Sequence, residues 1–346
     1  MKSRFLVAWL ALAALQTAVL AQTTVIRMGT LAPKDSPWHH ILLKIGEKWR
    51  DSTAGRVKLI VYEGGKLGDE PSVVNKMRIG QIQAAALSAG LGDIEPAVKC
   101  LQLPMMFRNY EELDYVRDRM SPRLEKMIEG RGFIVLNWGD VGWVYFFTTK
   151  PALHMDEMRR LKLFTWAGDN EVLQLWKANG FNAIPLAATD IGSGLTTGLI
   201  EALPTAALYA ELNQTYKIAN YMNDIRWAPF LGATVIYKPA WERLAEGDRK
   251  AMMEAARMES ENLRGKIRQM GEEAIAAMRE DKQGKFKVLH ADDATVNEWR
   301  QQCEAVYPKL RGKMVPADLF DEVVRLRDEY RARPAGAGKA APGTSR

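Results

Sequence analysis

The chain has 346 residues, more than one hydrophobic core usually supports, and its apolar fraction of 47% excludes a disordered chain, so two globular units are expected. Its net charge of +6 is scattered along segments that carry acids between the bases, which excludes a nucleic-acid stripe.

In chain order, Lys2 and Arg4 precede the apolar run 5–15, and Val19-Leu20-Ala21 offers small residues before Gln22. This reads as a secretory signal peptide over 1–21, with an uncleaved anchor as the alternative. The run is shorter than the roughly 20 residues a spanning helix needs, so a soluble protein outside the cytoplasm is expected. The leader carries two positive charges and no acid, leaving +6 less two, or +4, on the rest.

Thr24 to Met28 alternates as a strand, Ser36-Pro37 opens a helix running from Trp38 to Ser52, and Val57 to Tyr62 is the next strand. The turn from Gly64 to Glu70 leads into a helix through Ile79, and Ala84 to Ser88 is a third strand. Gly64 to Gly68 lacks the Lys-Ser/Thr pair of a phosphate loop. Further on, Lys162 to Trp166 is a strand, Asp169 caps a helix from Asn170 to Ala178, and Asn179-Gly180 stops it. Phe181 to Leu186 is a strand, Thr189 or Asp190 caps a short helix ended by Gly198, and Leu199 to Leu203 is a strand. Strands alternating with helices predict parallel sheets with loops gathered at one rim. Ligands of such sheets sit beyond the carboxyl ends of the strands, which places Trp166 to Asp169 and Pro204 to Ala206 near one.

Glu246 to Lys282 lacks proline and spaces Ala251, Met252, Ala255, Met258, Leu263, Ile267, Met270 and Ala274 as one long helix, a stripe that reads as packing. The tail over 332–346 is too rich in Pro, Gly and Ala to pack and reads as disordered. Cys100 and Cys303 read as two separate buried thiols, with a bridge as the alternative.

The segments SPWHH (36–40), TAGRVKLIVYEGGKLGDE (53–70), LPMMFRNYEEL (103–113), GFIVLNWGDVGW (132–143), LKLFTWAGD (161–169) and ATDIGSGLTTGLIEA (188–202) resemble the DctP-type extracytoplasmic solute receptors of tripartite ATP-independent periplasmic (TRAP) transporters. The resemblance implies an α/β fold of two lobes joined by a hinge that the chain crosses several times, with one long helix spanning both. It assigns 22–146 plus 234–274 to lobe I and 147–233 plus 275–331 to lobe II. It also implies a periplasmic receptor, a monomer by default, that captures a small organic solute by lobe closure. The partner in the family is a pair of integral membrane permease subunits, and no cofactor is implied. Co-binding of a cation stays open.

Receptors of this type commonly hold a carboxylate with arginines, and here the matching positions are Phe164 and either Val144 or Tyr145. The polar Gln-Glu-Asn-Pro run of many relatives is matched by Leu203-Pro204-Thr205-Ala206. Rings therefore replace the charged clamp, and the expected ligand residues are Trp38, His39, Glu70, Trp143, Tyr145, Phe164, Trp166, Thr205, Tyr209 and Trp227. Such a wall suits a bulkier, flatter or less charged solute than a four-carbon dicarboxylate. A lone Phe on a strand is also ordinary core, so two readings of Phe164 stand. Three stand for Glu70: ligand contact, partner of Lys162, or first residue of a helix. His40, His154 and His290 read as surface or packing residues.

A sensory subunit acting on a signalling partner is the second reading of the same fold. A secreted enzyme finds no Gly-x-Ser-x-Gly elbow, no His-Glu-x-x-His and no cysteine with a partner base. Four histidines without ligand spacing argue against a built-in metal site.

Overall fold

The computed structural model describes residues 23–281 and 285–333. The expected leader, Lys282 at the expected end of the long helix, and the tail beyond Arg333 lie outside the described residues. The chain opens with β1 (Thr24–Thr30), α1 (Pro37–Ser52), β2 (Val57–Tyr62), α2 (Glu70–Arg78) and β3 (Ala84–Leu87). After α3 (Leu91–Ile94) and α4 (Tyr110–Gly130) comes the long strand β4 (Phe133–Thr148). Next are α5 (Met155–Arg159), β5 (Lys162–Trp166), α6 (Asn170–Ala178), β6 (Asn182–Leu186), α7 (Ile191–Thr196), β7 (Ala202–Ala206), α8 (Ala207–Leu212) and β8 (Tyr221–Asn223). β9 (Ala228–Tyr237), α9 (Lys238–Glu242), α10 (Glu246–Glu280), β10 (Lys287–Leu289), α11 (Asp293–Leu310) and α12 (Ala317–Arg331) complete it.

Local chemistry sets most of these boundaries. Ser36 Oγ accepts the His39 N–H at 3.2 Å, Asp69 accepts that of Ser72 at 3.1 Å, and Asp169 accepts that of Val172 at 3.2 Å. These are the side-chain caps that satisfy the free amides of a helix start. β7 begins three residues later than its apolar run suggests. Gly198 takes a φ of 68° and the Ile200 N–H closes α7 on Gly194 O at 3.1 Å, so the residues between serve the helix end. Neither Thr189 nor Asp190 caps α7 with its side chain; a 3-10 turn over Ala188–Asp190 leads into it.

The main sheet runs β2-β1-β3-β9-β4-β7-β5-β6. β1, β2 and β3 are parallel, as are β5, β6 and β7, so both expected parallel units are present. They are joined by strands of opposite sense: β9 lies antiparallel to β3 and β4, and β4 antiparallel to β7. The β4–β9 ladder passes from Phe133 opposite Tyr237 to Val144 opposite Ala228, with bulges between Val135 and Asn137 and between Asp140 and Gly142. It carries the chain between the two lobes.

One core packs Ile26, Ile45 and Trp49 against Met252 of α10, and another packs Phe146, Leu163 and Phe181 against Trp299 of α11. The stretch from Ala97 to Leu124, expected in lobe I, shares its core with Phe164, Leu203 and Phe320. The 35 residues of α10 reach about 52 Å at 1.5 Å each, enough to cross both lobes. Met258, placed in its apolar stripe, is exposed. Cys100 and Cys303 are free and buried, and burial pushes both thiols up to about 12. No helix among the described residues is long and apolar enough to cross a membrane.

Four charged side chains tie α4, β4 and α10 together. Arg117 donates to Asp140 at 2.9 Å and to Asp114 at 2.7 Å, and its side chain and that of Asp140 are each 2% exposed. Arg268 donates to Asp140 at 2.6 Å, grips Asp114 with two bonds at 2.8 and 2.6 Å, and stacks 4.0 Å over the Tyr110 ring. Burial pushes the Asp114 carboxyl up, but the hydrogen bonds from Arg268 and the charge of both arginines outweigh it and hold the group below the ordinary carboxylate range. Such a carboxyl contributes stability that is present above its unfolded pKa of about 3.9 and is lost as pH falls through the lower folded value. Arg117→Met, which strands Asp140 with one partner fewer, should lower unfolding stability by about 3–5 kcal/mol. Asp114→Asn should flatten the loss of stability below about pH 4; urea unfolding across pH checks both.

Candidate functional site

The carboxyl ends of β1, β3, β5 and β7 converge on the bulged middle of β4 and β9 and on the middle of α10. A cavity of about 140 Å³ lies there. Its wall on one side is aromatic. Phe164 stands edge-on to Trp166 with centroids 5.2 Å apart, and Trp166 meets Phe230 at 6.2 Å. Phe164 is only 1% exposed, yet it lines the cavity, so both readings of this position hold: it is core and it is wall. Thr205 and Pro204 of β7, Tyr209 of α8 and Trp38 of α1 complete that rim. The Trp38 indole N–H donates to Asp140 O at 3.1 Å, which fixes the ring against the bulge in β4.

Glu70, the first residue of α2, is buried and accepts three hydrogen bonds: Ser88 N–H at 2.8 Å, Ser88 Oγ–H at 2.9 Å and Gly90 N–H at 2.5 Å. Burial pushes its carboxyl above the ordinary range, against the pull of those bonds. Gly90 is required here, because a Cβ on it would meet the Glu70 Cβ at 2.5 Å. Lys162 is not its partner, since that ammonium donates to Gly198 O at 2.7 Å. Glu70 therefore starts the helix and braces the loop after β3 while lining the cavity. Burial, and then the charge of Glu70, push the Tyr209 phenol up.

Asn137 and Arg264 are among the polar lining residues that escaped sequence reasoning. Asn137 sits at the first β4 bulge, and its buried Oδ1 has no hydrogen-bond partner. Arg264 projects from α10 beside Ser260, Leu263 and Ile267 and reaches the cavity. Its partner at 2.5 Å is Glu261, with the arginine side chain 23% and the glutamate 64% exposed. A pair that open to water is worth little, so an incoming anion can compete for the guanidinium. The spacing 260, 263, 264, 267 is one helix face and was the available signal, set aside because the stripe reads as packing.

Four expected residues lie elsewhere. His39 is buried and its Nδ1 accepts the Asp35 N–H at 3.1 Å. The bulge between Asp140 and Gly142 resets the alternation of β4, so Asp140 and Val141 line the cavity while Trp143 and Tyr145 do not. Trp143 packs on Tyr110 at 5.3 Å, and Tyr145 faces a separate hollow with Arg226 and Glu272. Trp227 stacks on Trp176 in a neighbouring cavity. Among the described residues no group of three or more His, Cys, Asp and Glu gathers as a metal site.

Residues 28–313 match the family model DctP, the bacterial extracellular solute-binding proteins of family 7. The chain belongs to this family.

A solute-binding protein of Chromohalobacter salexigens is 28% identical over 263 residues, covering 75% of this chain and 77% of the relative. The 2,3-diketo-L-gulonate-binding periplasmic protein YiaO of Escherichia coli is 22% identical over 280 residues, covering 78% and 82%. Among solved structures, the sugar acid binding protein DctPAm of Advenella mimigardefordensis, in complex with galactonate, superposes with a TM-score of 0.81 at 19% identity, covering 89% of this chain and 99% of that one. A TRAP periplasmic solute binding protein of Chromohalobacter salexigens with bound D-glucuronate gives a TM-score of 0.77 at 24% identity, covering 88% and 99%. The fold is thus that of the two-lobed TRAP receptors, and as a family 7 member the chain is a solute-binding protein and not an enzyme.

In this receptor Glu70 holds two backbone amides that nothing else would satisfy. Glu70→Ala should reduce stability by about 2–4 kcal/mol, each buried donor left bare contributing its share. Denaturant unfolding of the variant checks it, and a change under about 0.5 kcal/mol would refute the bracing role.

Proposed function

We propose that this receptor captures a small organic acid in the aromatic-walled cavity and hands it to the integral membrane subunits of a TRAP permease. One observation carries the reading. The cavity combines rings from β5 and β9 with a lightly held guanidinium, Arg264, supplied by the helix that crosses both lobes. The guanidinium fork matches two carboxylate oxygens, and Asn137 Oδ1 offers an unused acceptor to a ligand hydroxyl. Galactonate and D-glucuronate, bound in the two solved relatives above, have that combination of groups and support the choice of class.

The ligand residues on this reading are Trp38, Glu70, Phe164, Trp166, Thr205 and Tyr209, with Arg264 and Asn137 added. Lobe I is 22–146 plus 234–274 and lobe II is 147–233 plus 275–331, except that the stretch from Ala97 to Leu124 packs with lobe II. A solute touching β5 and β7 on one side and α1 and β1 on the other stabilises the closed form, which the permease then reads. The leader over 1–21 directs export, so capture takes place in the periplasm.

Arg264→Gln should weaken D-galactonate binding by roughly ten- to a hundredfold, the worth of a hydrogen-bonded charge, with no loss of melting temperature. Arg264→Lys should retain part of the affinity. Succinate should bind more weakly than D-galactonate, because the positions of the usual arginine pair hold Phe164 and Val144 or Tyr145. Calorimetry decides; unchanged affinity in Arg264→Gln, or tight succinate binding, overturns the assignment.

A further inference from the structure

A second cavity of about 420 Å³ lies beside the first, between α6, α11, the turn at Pro104 and the start of β9. That volume is in the range of small-molecule sites, about 300–1,000 Å³. Phe164, Trp166, Pro204 and Phe230 line both cavities, so a single layer of side chains separates them.

The second cavity is walled by rings and aliphatic chains. Trp176 stacks on Trp227 at 5.6 Å with the planes 24° apart and meets Phe181 edge-on at 4.6 Å. Val172, Leu175, Val306 and Leu310 fill in the wall between them. Three of the charged groups at its margin are already engaged, Lys99 with Asp169 at 2.7 Å, and Arg159 with Gln302 at 2.5 Å and Asn179 O at 3.0 Å, while the fourth, Lys309 on the exposed side of α11, has no ion pair or side-chain hydrogen bond among the described residues. One polar atom stands out. Thr165, 3% exposed and lining this cavity, has a hydroxyl with no hydrogen-bond partner. A buried hydroxyl left bare is unfavourable, and a polar atom on a bound molecule would relieve it.

We propose that this second cavity is an annex of the solute site, which takes the aryl or alkyl body of an elongated monocarboxylic acid whose carboxylate stays beside Arg264. The inference rests on the acid-capture reading for the carboxylate, while the annex itself stands on its own walls. The body passes at Trp166, the half-buried ring at the end of β5, and not through Phe164, which is sealed. A ring in the annex stacks on the Trp176–Trp227 pair, and a substituent on it reaches Thr165 Oγ1. The receptor then selects by the length and apolar bulk of the acid.

Three probes test this on the whole receptor by calorimetry and tryptophan emission: butyrate, 4-phenylbutyrate and the neutral 4-phenylbutan-1-ol. Val306→Trp and Val172→Trp each fill the annex from a different helix, with circular dichroism as the check on folding. 4-Phenylbutyrate should bind on the order of ten- to a hundredfold tighter than butyrate, the gain of burying a phenyl ring. That gain should disappear in a filled variant while butyrate affinity stays within about twofold. Equal binding of the two acids, or a gain that survives in both filled variants, overturns the annex. If the alcohol binds the native receptor and loses binding on filling while neither acid binds, the annex stands and the acid-capture reading falls. If butyrate or D-galactonate binds through Arg264 and no aryl probe gains, acid capture stands and the annex falls.

Discussion

A charge withdrawn from water must meet an opposite charge, and Asp140 meets two: Arg117 from α4 and Arg268 from α10. Asp114 closes the ring against both arginines, so two cations and two anions face one another at the point where β4 crosses between lobes. The arrangement fixes more than stability. The Asp140 carbonyl receives the Trp38 indole, and the bulge that follows Asp140 turns the strand so that Asp140 and Val141 look into the cleft. The long helix, the crossing strand and the first helix are thereby held in one register at the site.

Against that fixed frame, the cavity wall itself is soft in charge and firm in shape. Phe164, Trp166 and Phe230 form its aromatic side, and they are already packed against each other. The one guanidinium in the wall comes from α10, and its partner Glu261 lies largely in solvent. On the proposed reading, such a receptor recognises a carboxylate with one point of charge and discriminates by the body attached to it, which the adjoining cavity behind Trp166 would take.

Much of the molecule was legible from local chemistry. Ser36, Asp69 and Asp169 cap their helices with their own side chains, and β2, β5 and α6 fall where apolar runs, caps and the Asn179-Gly180 stop place them. Glu70 was expected as a ligand contact, a partner of Lys162 or a helix start, and its actual partner was not legible, because the Ser88–Gly90 loop that it braces is 18 to 20 residues away in sequence. Trp143 and Tyr145 were misplaced for a related reason: a bulge adds one residue to a strand and inverts every later side chain, and its one local mark, the glycine at 142, fits a bulge and a turn alike.

The sequence by itself determined β1 to β3, β5, β6 and the helices α1, α2, α6 and α10, the caps at Ser36, Asp69 and Asp169, the two parallel sheet units and the family, since each depends on neighbours within a few residues or on motifs read whole. Only the tertiary structure decided which faces of those elements meet. The antiparallel join of β4 and β9, the ion ring around Asp140 and the delivery of Arg264 to the cleft all pair residues distant in the chain. Such pairings follow from where packed layers come to rest, and the periodicity that builds a helix or a strand carries no record of that.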